Sequence, residues 1–240
     1  VALITGARRI GATLAVDLAR HGVDVGLSCH RSADAMEATA GRVRETGRRA
    51  LVIKTDIGEP AEVRQLVDQT VKAFGRLDIL INMASVYRQG SFDNLTTDDW
   101  NASLRVDLAG AYECAQAAVP HMRRVGGGHI ICFSDWTAAS GRPRYKGYVP
   151  YYVAKRAVMG LTEALALELS ADNILVNAIA PGPIIQPTEL DSPEVQEVER
   201  VTPLGRWGGA GAISEVVIGL LKTEFVTGET IRVDGGRHIR

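Results

Sequence analysis

Val1-Ala2-Leu3-Ile4-Thr5-Gly6-Ala7-Arg8-Arg9-Ile10-Gly11 opens the chain, and its reading decides the fold. Four apolar residues predict a buried strand, Gly6 and Gly11 bound a turn, and the amphipathic run over 12–20 predicts a helix. Glycines in such a turn let backbone N–H groups approach a pyrophosphate at the helix N-terminus, where the helix dipole favours an anion. It is the strand-turn-helix context, more than the glycines themselves, that predicts nucleotide binding.

The same alternation continues outward from this unit. Short apolar runs at 1–4, 23–27, 50–54, 77–81, 129–133, 174–179 and 229–233 predict strands. Between them, periodic segments near 10–21, 34–46, 61–74, 97–124, 151–170 and 210–222 predict helices. Strands alternating with helices imply an α/β fold: one doubly wound parallel sheet of about seven strands, helices on both faces, ligands beyond the carboxyl ends of the strands. With 240 residues, 46% of them hydrophobic, the chain suffices for a single large domain over 1–240 with a full core. Pro181, Pro183, Pro187 and Pro193 punctuate a stretch longer than an ordinary connection, so a substrate lid is expected around 183–202.

Composition narrows the partners. A net charge of -1 and a pI near 6.6 supply no basic field for nucleic acid, which leaves a small-molecule substrate as the expectation. No apolar stretch approaches the roughly 20 residues that span a bilayer, and the first residues read as a strand with no signal peptide ahead of them. Cys29, Cys114 and Cys132 have neither disulfide nor zinc spacing. Together these features lead us to expect a cytoplasmic protein with no metal.

The end of the second strand bears on cofactor choice. An NAD site wants an acid there for the ribose 2′-hydroxyl, whereas this chain offers Ser28-Cys29-His30-Arg31-Ser32. Arg31 and Ser32 suit a 2′-phosphate, and Arg8 and Arg9 add guanidinium groups to the same corner. NADPH is therefore expected over NADH. Further on, Tyr151 and Lys155 stand four apart and share a helix face. A phenol ionises near pH 10, too high for proton exchange at neutrality, and an ammonium held beside it would lower that value.

The order Thr5-Gly6…Gly11, Asp56, Asn82-Met83-Ala84-Ser85, Ser134-Asp135, Tyr151-x-x-x-Lys155 and Pro181-Gly182 resembles the short-chain dehydrogenase/reductase family along essentially the whole chain. The resemblance implies a Rossmann-like domain with Tyr151 as proton donor and Lys155 on the nicotinamide ribose. Asp56, with Ile57, would meet the adenine. Asn82, Ala84 and Ser85 would line the cofactor channel, Ile10 would close the first turn, and Pro181-Gly182-Pro183-Ile184 would face the nicotinamide carboxamide. A homotetramer is also implied.

Departures from the family pattern point to substrate class. The first turn is one residue short and has arginine in place of its middle glycine, as in pteridine reductases of the family. The asparagine of the fourth helix reads Asp107, whose charge would hold Lys155 protonated. The Ser-Ser pair at the end of strand five reads Ser134-Asp135, with Asp135 at the catalytic serine's place. An ionised carboxylate only accepts hydrogen bonds and repels an oxyanion. So either burial keeps Asp135 protonated, or Ser134 takes the serine's role, or the substrate brings donors to the carboxylate, as a pterin would. Tyr87, Trp136 and Tyr148 are candidate substrate contacts. The loop 136–150 is about three residues longer than usual and leaves Tyr148, with Tyr152-x-x-x-Arg156, as a rival frame.

This reading gives an NADPH-dependent reductase acting on a C=O or C=N bond. A pterin-like heterocycle and a 3-oxoacyl thioester or other ketone are the alternative substrates. A regulatory protein that binds the cofactor without turnover is the alternative of another class.

Overall fold

The computed structural model describes residues 1–188 and 191–239. Seven strands form one sheet: β1 (Ala2–Thr5), β2 (Val25–Cys29), β3 (Ala50–Lys54), β4 (Ile79–Asn82), β5 (Gly128–Phe133), β6 (Ile174–Pro181) and β7 (Thr230–Val233). Their order is β3-β2-β1-β4-β5-β6-β7, and all six pairings are parallel. The order reverses between β1 and β4, which places a crevice at their carboxyl ends.

The continuous apolar runs in the sequence reflect strands buried on both faces. Ala2 and Ile4 of β1, Ile79 and Ile81 of β4 and Ile131 of β5 enter one core, beneath α1 (Ile10–Arg20), α2 (Ala33–Glu45) and α9 (Ala210–Leu221). Leu3, Leu80, Ile130 and Val176 enter the other, with α3 (Pro60–Phe74), α5 (Gly110–Arg124) and α7 (Val149–Leu169). Successive side chains thus alternate between two cores of like character. No helix among the described residues is long and apolar enough to cross a membrane.

Three local features differ from the sequence expectation. The helix expected over 97–124 is α4 (Thr97–Ser103), a π turn (Leu104–Ala109) and then α5. A π turn fits an extra residue into the spiral, and this one carries Asp107. Next, Asp135 caps a four-residue helix, α6 (Trp136–Ala139), which is too short to show a period. Finally, the expected lid is not irregular throughout, because α8 (Ser192–Arg200) occupies its second half behind an Asp191–Glu194 capping box. Pro193 reads as a breaker but stands in the first turn of α8, where its missing N–H costs nothing. Glu189 and Leu190 of that lid lie outside the described residues.

Close approach requires glycine at Gly6 and Gly182, which flank the crevice. Gly6 has φ +63°, and a Cβ on it would lie 2.6 Å from Ala84 Cα, so the turns after β1 and β4 meet backbone to backbone. The Thr5 hydroxyl accepts from Met83 and Ala84 N–H groups at 3.1 and 3.2 Å across the same junction. Gly182 donates to Val233 O at 2.9 Å, and a Cβ there would come within 2.4 Å of Asp234 Cβ. Asp234 cannot retreat, since it accepts from Gly236 N–H, His238 N–H and the His238 ring. Gly182→Ala is therefore expected to cost about 1–3 kcal/mol through overpacking. Urea denaturation should show a lower midpoint with unchanged slope, and an unchanged midpoint would show that the junction yields freely.

Candidate active site

Helix α7 carries Tyr151 and Lys155 one turn apart, and the lysine is almost fully enclosed. Its side chain is 4% exposed and that of Asp107 is 0% exposed. The ammonium donates to the Phe133 carbonyl at the end of β5 at 2.8 Å and lies 3.0 Å from Asp107 Oδ1. An ammonium has three N–H donors, so two such partners leave one for the crevice. Lys155 Nζ sits 5.7 Å from the Tyr151 ring centroid. Asp107 also accepts from the Ser85 hydroxyl and, at 2.9 Å, from Val86 N–H. One carboxylate thus joins the π turn, Lys155 and the loop after β4.

Asp135 faces Tyr151 from the other side. Its Oδ1 accepts from Thr137 N–H and the Thr137 hydroxyl at 2.7 and 2.6 Å, and its Oδ2 accepts from the Tyr151 hydroxyl at 3.1 Å. All three of these partners donate, so the carboxylate is used as an acceptor. Ser134 points elsewhere: it is buried, and its hydroxyl donates to the Lys155 carbonyl at 2.8 Å. Ser134 therefore pins α7 to β5 and does not reach the reacting centre, which removes it as a stand-in for the serine.

Aromatic side chains cluster around Tyr151. Tyr87, 60% exposed, stacks on Tyr148 with centroids 4.6 Å apart and meets Tyr151 edge-on at 4.8 Å. The rival frame is accounted for structurally, because Arg156 donates to Ala138 O at 2.8 Å. Trp136 is not among these mouth residues. It is buried between the Arg144 and Arg237 guanidinium groups, 5.6 and 5.5 Å from its ring, and joins the 136–150 loop to the C-terminal segment.

Beside this cluster a cavity of about 540 Å³ runs along the carboxyl ends of β1, β2 and β4. Gly6, Arg8, His30, Arg31, Ser32, Asp56, Ile57, Ala84, Ser85 and Tyr87 are on its wall. Asp56 Oδ1 accepts from Gly58 N–H at 2.8 Å, and its Oδ2 lies 3.9 Å from His30 Nε2. Ser28 is on the same wall, and its buried hydroxyl has no hydrogen-bond partner among the described residues.

A family model described as Enoyl-(Acyl carrier protein) reductase matches residues 5–238. The 3-oxoacyl-[acyl-carrier-protein] reductase FabG of Staphylococcus aureus is 34% identical over 244 residues, covering 99% of this chain and 98% of that protein. The chain is a short-chain dehydrogenase/reductase. Among solved structures, a short-chain dehydrogenase/reductase from Serratia marcescens superposes with a TM-score of 0.91 at 33% identity, covering 99% of this chain and 97% of the other. Acetoin dehydrogenase from Enterobacter cloacae gives 0.89 at 33% identity, with coverage of 100% and 95%.

Short-chain dehydrogenase/reductases are oxidoreductases that use nicotinamide cofactors, and the residues here fit such a group. Gly6 clears the approach to β4, the cavity has the volume of a cofactor site, and Ser28 Oγ and Asn82 Oδ1 are buried polar atoms left without a partner among the described residues. Several expected contacts fall elsewhere. Arg9 leaves the phosphate corner and donates to Ile185 O at 3.3 Å, tying the first turn to the segment after β6. Its φ of +53° is one that glycine adopts freely, the physical reason a glycine suits that place. Ile10 and Ile184 pack into the α1-side core, and Gly11 is buried under Ala7 and Met83, so these three support the turn from behind. The Asn82 amide donates to Ala111 O at 3.2 Å. Pro181 ends β6 and Gly182 lies against Asp234, which fixes where the next segment leaves the sheet.

Thr137 and the Phe133 carbonyl were not anticipated. Aspartate is a favoured N-cap whose side chain accepts from the N–H two or three residues on, and that preference is the signal that marks Thr137. Nothing in a sequence marks which backbone carbonyl a lysine will reach.

The expected lowering of the Tyr151 pKa is reversed. Burial pushes the phenol well above its ordinary value, and the Asp135 and Asp107 carboxylates add to that. Tyr151 is thus held as a neutral proton donor. A raised folded-state pKa contributes stability that is complete below about pH 10 and lost as pH rises through the folded value. In an ultraviolet titration, wild type and Tyr151→Phe should give the same phenolate absorbance up to about pH 10. A phenolate present only in the wild type near neutrality would contradict this.

Proposed function

We propose that this protein is an NADPH-dependent reductase of a ketone. The observation that carries the reading is the Tyr151 hydroxyl, neutral and 3.1 Å from Asp135, beside a lysine fixed by Phe133 O and Asp107. When bound, the reduced nicotinamide supplies the hydride. Tyr151 gives its proton to the substrate oxygen, Lys155 keeps one N–H for the nicotinamide ribose, and Asp135 orients the substrate. Its relatives the 3-oxoacyl-[acyl-carrier-protein] reductase of Staphylococcus aureus and the acetoin dehydrogenase of Enterobacter cloacae support a carbonyl substrate.

The choice of NADPH rests on charge. Arg8 and Arg31 line the cavity, neither has an ion-pair partner among the described residues, and no acid follows β2 where a ribose 2′-hydroxyl would need one. A pterin-like heterocycle is the second reading. Tyr87 favours it, since a flat ring could lie against this exposed tyrosine next to Tyr151, with its N–H groups on Asp135.

NADPH oxidation should be followed with an acetoacetyl thioester, a small hydroxyketone and dihydrobiopterin in parallel. Turnover of a ketone, with a loss of at least about a hundredfold in Tyr151→Phe, is expected. Turnover of the pterin alone would replace the leading reading with the second. Separately, Arg31→Ala should weaken NADPH binding by about tenfold or more while leaving NADH nearly unchanged, read by calorimetry. Equal losses for both cofactors would remove the 2′-phosphate assignment.

A further inference from the structure

Asp135 places a demand on the substrate that the ketone reading alone does not. Its Oδ1 is committed to Thr137, through both the backbone N–H and the hydroxyl, so the carboxylate cannot rotate away. Its Oδ2 takes the one proton the reaction needs, that of Tyr151. To protonate a substrate oxygen, Tyr151 must turn its O–H from Asp135 to that oxygen. Oδ2 then loses its donor beside the Tyr87, Tyr148 and Tyr151 rings, where a bound substrate takes the place of water. Once a bound substrate has displaced water from Oδ2, a carboxylate left without a donor is costly, and a plain ketone has nothing to offer it.

We infer that Asp135 selects carbonyl compounds bearing an O–H or N–H donor on the carbon next to the carbonyl, α-hydroxyketones being the simplest class. In such a substrate the neighbouring hydroxyl donates to Asp135 Oδ2 as the Tyr151 proton swings to the carbonyl oxygen. Two hydrogen bonds exchange partners and none is lost. With a donor-free ketone, the bond between Tyr151 and Asp135 competes with the one that activates the carbonyl. This inference rests on the carbonyl-reductase reading and deepens it.

The test compares 3-hydroxybutan-2-one with 3-methoxybutan-2-one, which keeps the oxygen and removes its proton, using NADPH. Wild type should favour the hydroxyketone in kcat/KM by at least about tenfold. Asp135→Ser, which restores a hydroxyl able to donate and can still cap α6, should bring the ratio close to one by gaining on the ether. A second readout avoids turnover. Ligand-observed NMR on Tyr151→Phe should show tighter binding of the hydroxyketone than of the ether, and equal binding once Asp135→Ser is added. Comparable rates for the two ketones in wild type, or a preference that survives in Asp135→Ser, would overturn the inference while leaving the reductase reading in place. Turnover of neither ketone, with the thioester also inert, would remove that reading and this inference with it.

Discussion

The buried ammonium of Lys155 is the point on which the rest of the site depends. It joins the end of β5, through Phe133 O, to the π turn, through Asp107. Asp107 in turn holds the loop after β4 through Ser85 and Val86, and the lysine's own carbonyl receives the Ser134 hydroxyl. Four segments distant in sequence are thereby fixed to one charge. Such a pair pays heavily for its desolvation, and removing one partner alone typically costs about 3–5 kcal/mol because the other is left buried and unpaired. Its value here lies in position more than in net stability: it sets Tyr151 beneath Tyr87 and opposite Asp135.

The sheet order makes that arrangement possible. Reversal between β1 and β4 opens the crevice, and the Thr5 hydroxyl, accepting from Met83 and Ala84, keeps the two strand ends from separating. Gly6 lets the turns touch. The cavity with Arg8 and Arg31 runs past this junction to Tyr87, which meets Tyr151 edge-on.

Charge distinguishes this site from a plain ketone-reducing one. Two carboxylates, Asp135 and Asp107, bracket one phenol and one ammonium. With burial they raise the phenol's affinity for its proton, the opposite of what the lysine alone would do. The Tyr151–Lys155 spacing by itself therefore misstates the protonation balance, because the sign depends on acids that arrive from other elements.

The sequence by itself determined the fold class, the seven strands and the placing of Tyr151 and Lys155 one turn apart on one helix. Those follow from periodicity and from residues close together along the chain, as with Gly6 and Gly11 or Tyr151 and Lys155. Local readings failed where the deciding partner was remote. Arg9 turned to Ile185 instead of the phosphate corner, Trp136 was drawn between Arg144 and Arg237, and Ser134 went to the Lys155 carbonyl. Helix α8 was hidden because it buries no apolar face and opens with a proline. Which oxygen each donor reaches depends on how strands far apart in sequence are brought side by side. Only the tertiary structure decided that Asp135 accepts from Tyr151 while Asp107 holds Lys155.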